Sequence, residues 1–264
     1  MSAIAPSIPF TKVSACGNDF LIVDAAHVRA ELADLSRRMC DRHNGVGADG
    51  VEWLFPDPES DVLARLFNAD GSEAEISGNG TRCVAAELCS REGKTEIVIR
   101  TGAGRKTCRL MGRLGTTFEF EIDMGQPVVG GQVSMETPSG RVVGTSVSMG
   151  NPHCVIFVDR FPDGWQREAA RIGAQPLFPQ GTNVEYVAVR GPSEIEIRIF
   201  ERGVGETQSS GTGSCASAVA AIASRRVSSP VKVVAPGGPQ TVRWEKQVYL
   251  TGPATLICRG EFLV

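Results

Sequence analysis

Two short strings in this chain bring a hydroxyl together with free amides: Ser77-Gly78-Asn79-Gly80 and Ser210-Gly211-Thr212-Gly213. Each runs into an alanine-rich segment without glycine or proline, TRCVAAELCSRE in the first case and SCASAVAAIASRR in the second, and this predicts one helix after each string. A helix start carries unpaired N–H groups and the positive end of the backbone dipole, so a carboxylate or phosphate is well held there. The serine adds a hydroxyl beside that anion. Serine is also an ordinary N-cap, and for a single string the cap alone explains the residue. A pair is different, because two helix starts related by a pseudo-twofold axis can face opposite sides of one bound molecule. Such a geometry suits removal of a proton from one face and its return to the other.

The pairing is written into the chain as a repeat. Placing ARLFNADGSEAEISGNG over IRIFERGVGETQSSGTG at an offset of 133 aligns Arg65 with Arg198, Phe67 with Phe200 and Glu73 with Glu206. It also aligns Ser77 with Ser210, Gly78 with Gly211 and Gly80 with Gly213, where average residue usage would give about one identity. The same offset sets Gly17-Asn18 over Gly150-Asn151. Glycine-rich turns ahead of helices would account for the glycines, but not for the shared arginine, phenylalanine and glutamate.

Elements of similar type must position these tips in both halves. Phe20 to Val23, Glu96 to Ile99, Val155 to Val158 and Glu194 to Phe200 read as strands. The two alanine-rich helices are largely apolar, which predicts burial within their own halves. The crossover is expected near Asp123-Met124-Gly125-Gln126-Pro127, after the strand-like Phe118 to Ile122. The strand-like tail is expected to return to the first half, giving a first domain of 1–124 with 255–264 and a second of 125–254.

Composition narrows the function. The chain has 264 residues, 42% of them hydrophobic, enough for real cores. Lys and Arg number 27 against 30 Asp and Glu, a net charge of −3, so no basic field draws nucleic acid or an anionic membrane. A small molecule is the expected partner. No apolar run approaches the ~20 residues of a membrane span and the N-terminal residues lack a signal-peptide pattern, so a cytoplasmic protein is expected. Eight scattered cysteines read as free thiols, and three histidines (His27, His43, His153) with no CxxC pair leave little from which to build a metal site.

The strings ACGNDFLIVD, HNGVGADG, FNADGSEAEISGNGTRC, MGNPHCVIFV, GTNVEY and FERGVGETQSSGTGSCA, in this order and over nearly the whole chain, resemble the successive signatures of the diaminopimelate epimerase family. The resemblance implies a cofactor-independent, two-base epimerase that converts LL- to meso-diaminopimelate in lysine and peptidoglycan precursor synthesis. It also implies an α+β fold of two pseudo-symmetric domains, each a curved sheet around a central helix, and a homodimer. Residue by residue, it assigns Ser77 and Ser210 to the base positions. Asn18, Asn68, Asn151 and Asn183, with Glu201 and Arg202, fall where the family holds the polar ends of substrate, and Gly78, Asn79, Gly211 and Thr212 would offer amides to the α-carboxylate. Asparagine suits such work because it both donates and accepts, and Arg202 could hold a distal carboxylate as a fork.

The departure lies at the bases themselves, which are cysteines in the family and serines in this chain. A thiol near pKa 8.5 reaches thiolate at a helix start, whereas an alkyl hydroxyl lies roughly five units higher, a penalty of about 7 kcal/mol. Uncompensated, that is roughly five powers of ten in rate. Cys83 and Cys215 do not replace them, because at about 100° per residue they turn away from the serines and inward. Cys16 and His153 are the other candidate bases, His153 being better matched to proton transfer near neutrality. Four readings stay open: an epimerase whose serines receive help, a relative acting on another or a more acidic amino acid, a cysteine enzyme with both bases substituted, and a non-catalytic amino-acid binding protein.

Overall fold

The structure, a computed structural model, describes residues 7–28, 30–138 and 140–264. It divides into two units, Met1–Ile122 with Gly252–Val264, and Asp123–Thr251. In the first, β1 (Ser7–Ala15) and β2 (Asn18–Asp24) form an antiparallel hairpin, turning at Cys16 and Gly17 with positive φ of 49° and 84°. After α1 (Leu32–Cys40), β3 (Gly50–Phe55) lies parallel to β2, β4 (Val62–Asn68) returns antiparallel to β3, and β5 (Glu73–Ala74) folds back on β4. Then follow α2 (Gly78–Glu92), β6 (Glu96–Thr101) parallel to β4, β7 (Gly104–Leu114) antiparallel to β6, and β8 (Thr117–Gly125) antiparallel to β7.

The second unit opens with β9 (Val128–Thr137) and β10 (Gly140–Ser148), an antiparallel pair. Next, β11 (Pro152–Phe157) pairs antiparallel with β10 and, across α3 (Trp165–Gly173), parallel with β12 (Asn183–Gly191). The chain continues through β13 (Glu194–Glu201), β14 (Gly205–Thr207), α4 (Gly211–Ala223), β15 (Val231–Ala235) and β16 (Gly238–Trp244). The pairings from β11 to β16 repeat those from β2 to β7 strand for strand, including the parallel contact of β13 with β15. Finally β17 (Val248–Leu263) pairs with β16 up to Thr251, and its later residues pair with β1 from Ser14↔Thr255 to Ser7↔Leu263.

Small side chains explain how a helix can be buried on every side: alanine favours the helix and lets strands approach it closely. In α2 every residue from Asn79 to Cys89 is buried, and the helix packs against β1, β2, β6 and β7 before stopping at Gly93, which takes a left-handed φ of 72°. In α4, Gly211 and Gly213–Ala221 are buried, and β10 to β13 with β15 and β16 pack against it. Both helices start earlier than the composition suggests, at the residue after each serine, so Gly-x-Gly forms the first turn instead of a loop ahead of it. The second also stops at Ala223, short of the expected Arg226, with Arg225 in a left-handed conformation.

A strand covered on both faces loses its alternating pattern, and this is what happens in β3. Val51 and Trp53 pack with Leu35 and Met39 of α1, while Glu52, on the opposite face, meets the first turn of α2 at Gly80. β12 repeats the arrangement, with Val184 and Tyr186 against Trp165, Ala169 and Ile172 of α3, and Glu185 turned toward Gly213 of α4. Among the described residues no cysteine forms a disulfide, and Cys83 and Cys215 are fully buried. Among the described residues, no cluster of His, Cys, Asp and Glu is arranged to hold a metal ion, and no helix is long and apolar enough to cross a membrane.

Candidate active site

Each serine is the N-cap of its helix, with extended backbone (φ −124°, ψ 125° at Ser77; φ −140°, ψ 126° at Ser210). Ser77 Oγ accepts the Gly80 N–H at 3.1 Å and Ser77 O accepts the Thr81 N–H at 2.8 Å. In the second unit the matching distances are 3.3 Å from Gly213 N to Ser210 Oγ and 2.9 Å from Ser214 N to Ser210 O. The amides of Gly78, Asn79, Gly211 and Thr212 precede these first helical bonds, which is where a helix presents N–H groups to an anion.

The first unit brings Asn18 and Asn79 together at its serine. Asn79 Nδ2 donates to Asn18 Oδ1 at 2.7 Å, and Asn18 Nδ2 donates to Asp49 Oδ2 at 3.0 Å. Asn79 Oδ1 accepts from the wholly buried Arg82, whose Nε also donates to Pro253 O at 3.4 Å. Cys16 is buried beside this network, its Sγ 3.7 Å from Arg82 Nη2. Asn68, exposed at the end of β4, donates to Ser72 Oγ at 3.0 Å within the turn that leads to β5.

The second unit joins more of its expected residues. Ser210 Oγ donates to Glu201 Oε2 at 3.2 Å, and Asn151 Nδ2 donates to Thr212 Oγ1 at 3.4 Å. Asn151 Oδ1 lies 2.9 Å from His153 Nε2, and His153 Nδ1 lies 2.7 Å from Glu185 Oε1. Both ends of the Asn183 amide are engaged by backbone, Nδ2 by Pro152 O and Oδ1 by the Arg202 N–H, each at 2.9 Å. Its side chain therefore fixes the course of the chain at Arg202, whose exposed guanidinium donates through Nη1 to Gln180 O.

Two carboxyl groups behind the serines went unmarked by any motif. Glu52 and Glu185 are separated by the same 133 positions as the serines, and they are 4% and 0% exposed. A Cβ on Gly80 would collide with Glu52 Oε1 while lying 3.3 Å from Ser77 Cβ. A Cβ on Gly213 would lie 2.9 Å from Glu185 Oε1 and 3.3 Å from Ser210 Oγ. Glycine at these positions is thus what admits a carboxyl group against each helix start. Burial pushes the Glu52 carboxyl up to about 8, with no ion pair to offset it. Burial also raises Glu185, against the pull of His153. The signal was available: at the offset that aligns the serines, Val51-Glu52-Trp53 stands over Val184-Glu185-Tyr186.

Comparisons with known proteins agree with this architecture. The sequence model of the family described as diaminopimelate epimerase matches residues 10–129 and 145–257. A diaminopimelate epimerase of Pelotomaculum thermopropionicum is 42% identical, with 96% of this chain and 98% of that relative covered, and one of Desulforudis audaxviator is 40% identical, with 96% and 99% covered. Among solved structures, a phenazine biosynthesis protein of the PhzF family from Bacillus anthracis is similar with a TM-score of 0.75 at 15% identity, over 98% of this chain and 100% of that one. A hydroxyproline epimerase from Agrobacterium vitis gives 0.71 at 16% identity, over 97% and 92%. The distant structures establish the fold, and the close relatives establish more: this chain is a member of the diaminopimelate epimerase family.

Proposed function

We propose that the protein interconverts LL- and meso-diaminopimelate by proton transfer at the α-carbon, without a cofactor, as a cytoplasmic enzyme of lysine biosynthesis. In this reading Ser77 and Ser210 occupy the two base positions in two pseudo-symmetric domains, 1–124 with 255–264 and 125–254. Asn18, Asn68, Asn151, Asn183, Glu201 and Arg202 hold the polar ends of the substrate, and the amides of Gly78, Asn79, Gly211 and Thr212 receive its α-carboxylate. A second copy of the chain completes a homodimer.

The observation that carries the reading is the matched cap geometry: in both units a serine oxygen sits at the tip of a buried helix whose first turn is Gly-x-Gly. Proton exchange needs a group on each side of the α-carbon, and a duplicated tip supplies a pair of like groups. Specific favour for catalysis over simple binding comes from Ser210, whose hydroxyl donates to the Glu201 carboxylate, an arrangement in which a weak hydroxyl acid has a base to receive its proton. The test is deuterium incorporation at the α-carbon of LL-diaminopimelate in heavy water, run on this chain and on its Ser77→Cys, Ser210→Cys form. Exchange by the serine chain is expected. Exchange by the cysteine form alone would overturn a catalytic role for the serines.

A further inference from the structure

The two units wire their serines differently. In the second, Ser210 donates to Glu201 and Glu185 is paired with His153. At the corresponding positions of the first unit stand Asn68 in place of Glu201 and Phe20 in place of His153. Ser77 therefore has no carboxylate at the Glu201 position to take its proton, and Glu52 has no imidazole. What remains is a carboxyl group, nine-tenths and more buried, whose Oε1 is directed at the first turn of the helix that Ser77 caps.

We infer that Glu52 is the proton-carrying partner of Ser77, exchanging a proton with its hydroxyl across the space that Gly80 leaves open. The inference rests on the epimerase reading and extends it. When Ser77 acts as base, the substrate Cα–H bond breaks, its proton goes to Ser77 Oγ, the Ser77 hydroxyl proton passes to the Glu52 carboxylate directly or through one water, and the electron pair stays on the substrate as the α-carbanion. In the opposite direction the Glu52 carboxylic acid returns a proton to Ser77 Oγ as the serine protonates that carbanion. Glu52 acts through Ser77 and touches no substrate. Such a relay is what a hydroxyl needs and a thiolate does not, which ties Glu52 to the serine at position 77.

The surroundings of Glu52 leave it free to titrate. Its register partners on β2 and β4 are the apolar Ile22 and Leu66. From α2, Cys83 faces it, a thiol pushed well up mainly by burial and further by Glu52; Arg82 of α2, Cys16 and Asp19 act on that same thiol.

The experiment is a double-mutant cycle on the intact chain, reading α-proton exchange and epimerisation of both diaminopimelate stereoisomers. Glu52→Gln is expected to slow the serine chain by about a hundredfold or more, the usual yield of general acid–base help. In the Ser77→Cys background the same change should cost no more than about threefold. Equal losses in both backgrounds would mean that Glu52 merely supports the fold, and would overturn the relay while leaving the epimerase reading intact. No turnover by the unmodified chain would instead overturn both. A second measurement reads pH dependence. In the unmodified chain, kcat/KM for the two stereoisomers should share a limb near pH 8, where Glu52 titrates, and Glu52→Gln should remove that limb from the residual activity. A limb that survives unchanged in Glu52→Gln would rule the relay out.

Discussion

His153 Nδ1 lies 2.7 Å from Glu185 Oε1, and both side chains are fully shut off from solvent. The partner oxygen, Glu185 Oε2, is buried without a hydrogen bond, so the imidazole is the group that compensates this carboxyl. Breaking a buried pair by removing one member leaves an uncompensated charge, a far larger effect than any surface ion pair in the chain.

His153→Ala is accordingly expected to destabilise the protein by about 3–5 kcal/mol at pH 7 in urea unfolding. The deficit should shrink toward pH 4, because a protonated Glu185 no longer carries a charge to be compensated. A deficit that is small at pH 7 or constant with pH would show that the pair is not what holds this carboxyl.

Glu52 makes stability depend on pH with a definite sign. Its carboxyl is raised from 4.5 to about 8 in the folded chain, so between those values the folded state keeps a proton that the unfolded state has released. Its contribution is therefore fully present below about pH 4.5 and is lost as pH rises through 8. Glu52→Gln cannot ionise and lacks this loss. The variant and the parent should have similar unfolding free energies near pH 4.5, with the variant ahead by a margin on the order of 4 kcal/mol at pH 8. Parallel stability curves would place the Glu52 titration elsewhere.

Gly80→Ala sets two effects against each other. Alanine gains about 1 kcal/mol over glycine inside a helix. Its Cβ, however, would collide with Glu52 Oε1, and overpacking typically costs about 1–3 kcal/mol. Net destabilisation is expected, and Glu52→Ala in the same chain should reverse it, so that the two changes are strongly non-additive. A stabilised Gly80→Ala protein would contradict the close approach of carboxyl and helix start.

The serine tips were legible because a cap and a Gly-x-Gly turn are local features, and the repeat fixed their correspondence. Even there the composition placed the helices at Thr81 and Ser214, since glycine reads as a loop; the cap hydrogen bonds draw both glycines into the first turn. Glu52 was hidden for a different reason. In GVEWLF no alternation reveals which face a residue occupies, because helices cover both faces of β3. Asn183 fits a substrate-holding role by residue type, and only the fold shows its amide fastened to Pro152 O and to the Arg202 N–H.

The sequence by itself determined the family, the repeat and the two serine-capped helix starts, all carried by residues close together in the chain. Tertiary structure alone decided the state of the groups behind those starts. Glu52 and Glu185 are the same residue in the same repeated position, yet only Glu185 is paired with a histidine, because the strand alongside carries His153 opposite Asn183 where its counterpart carries Phe20 opposite Gly50. A carboxyl group's proton affinity is set by burial and by neighbours through space, and those neighbours come from different strands.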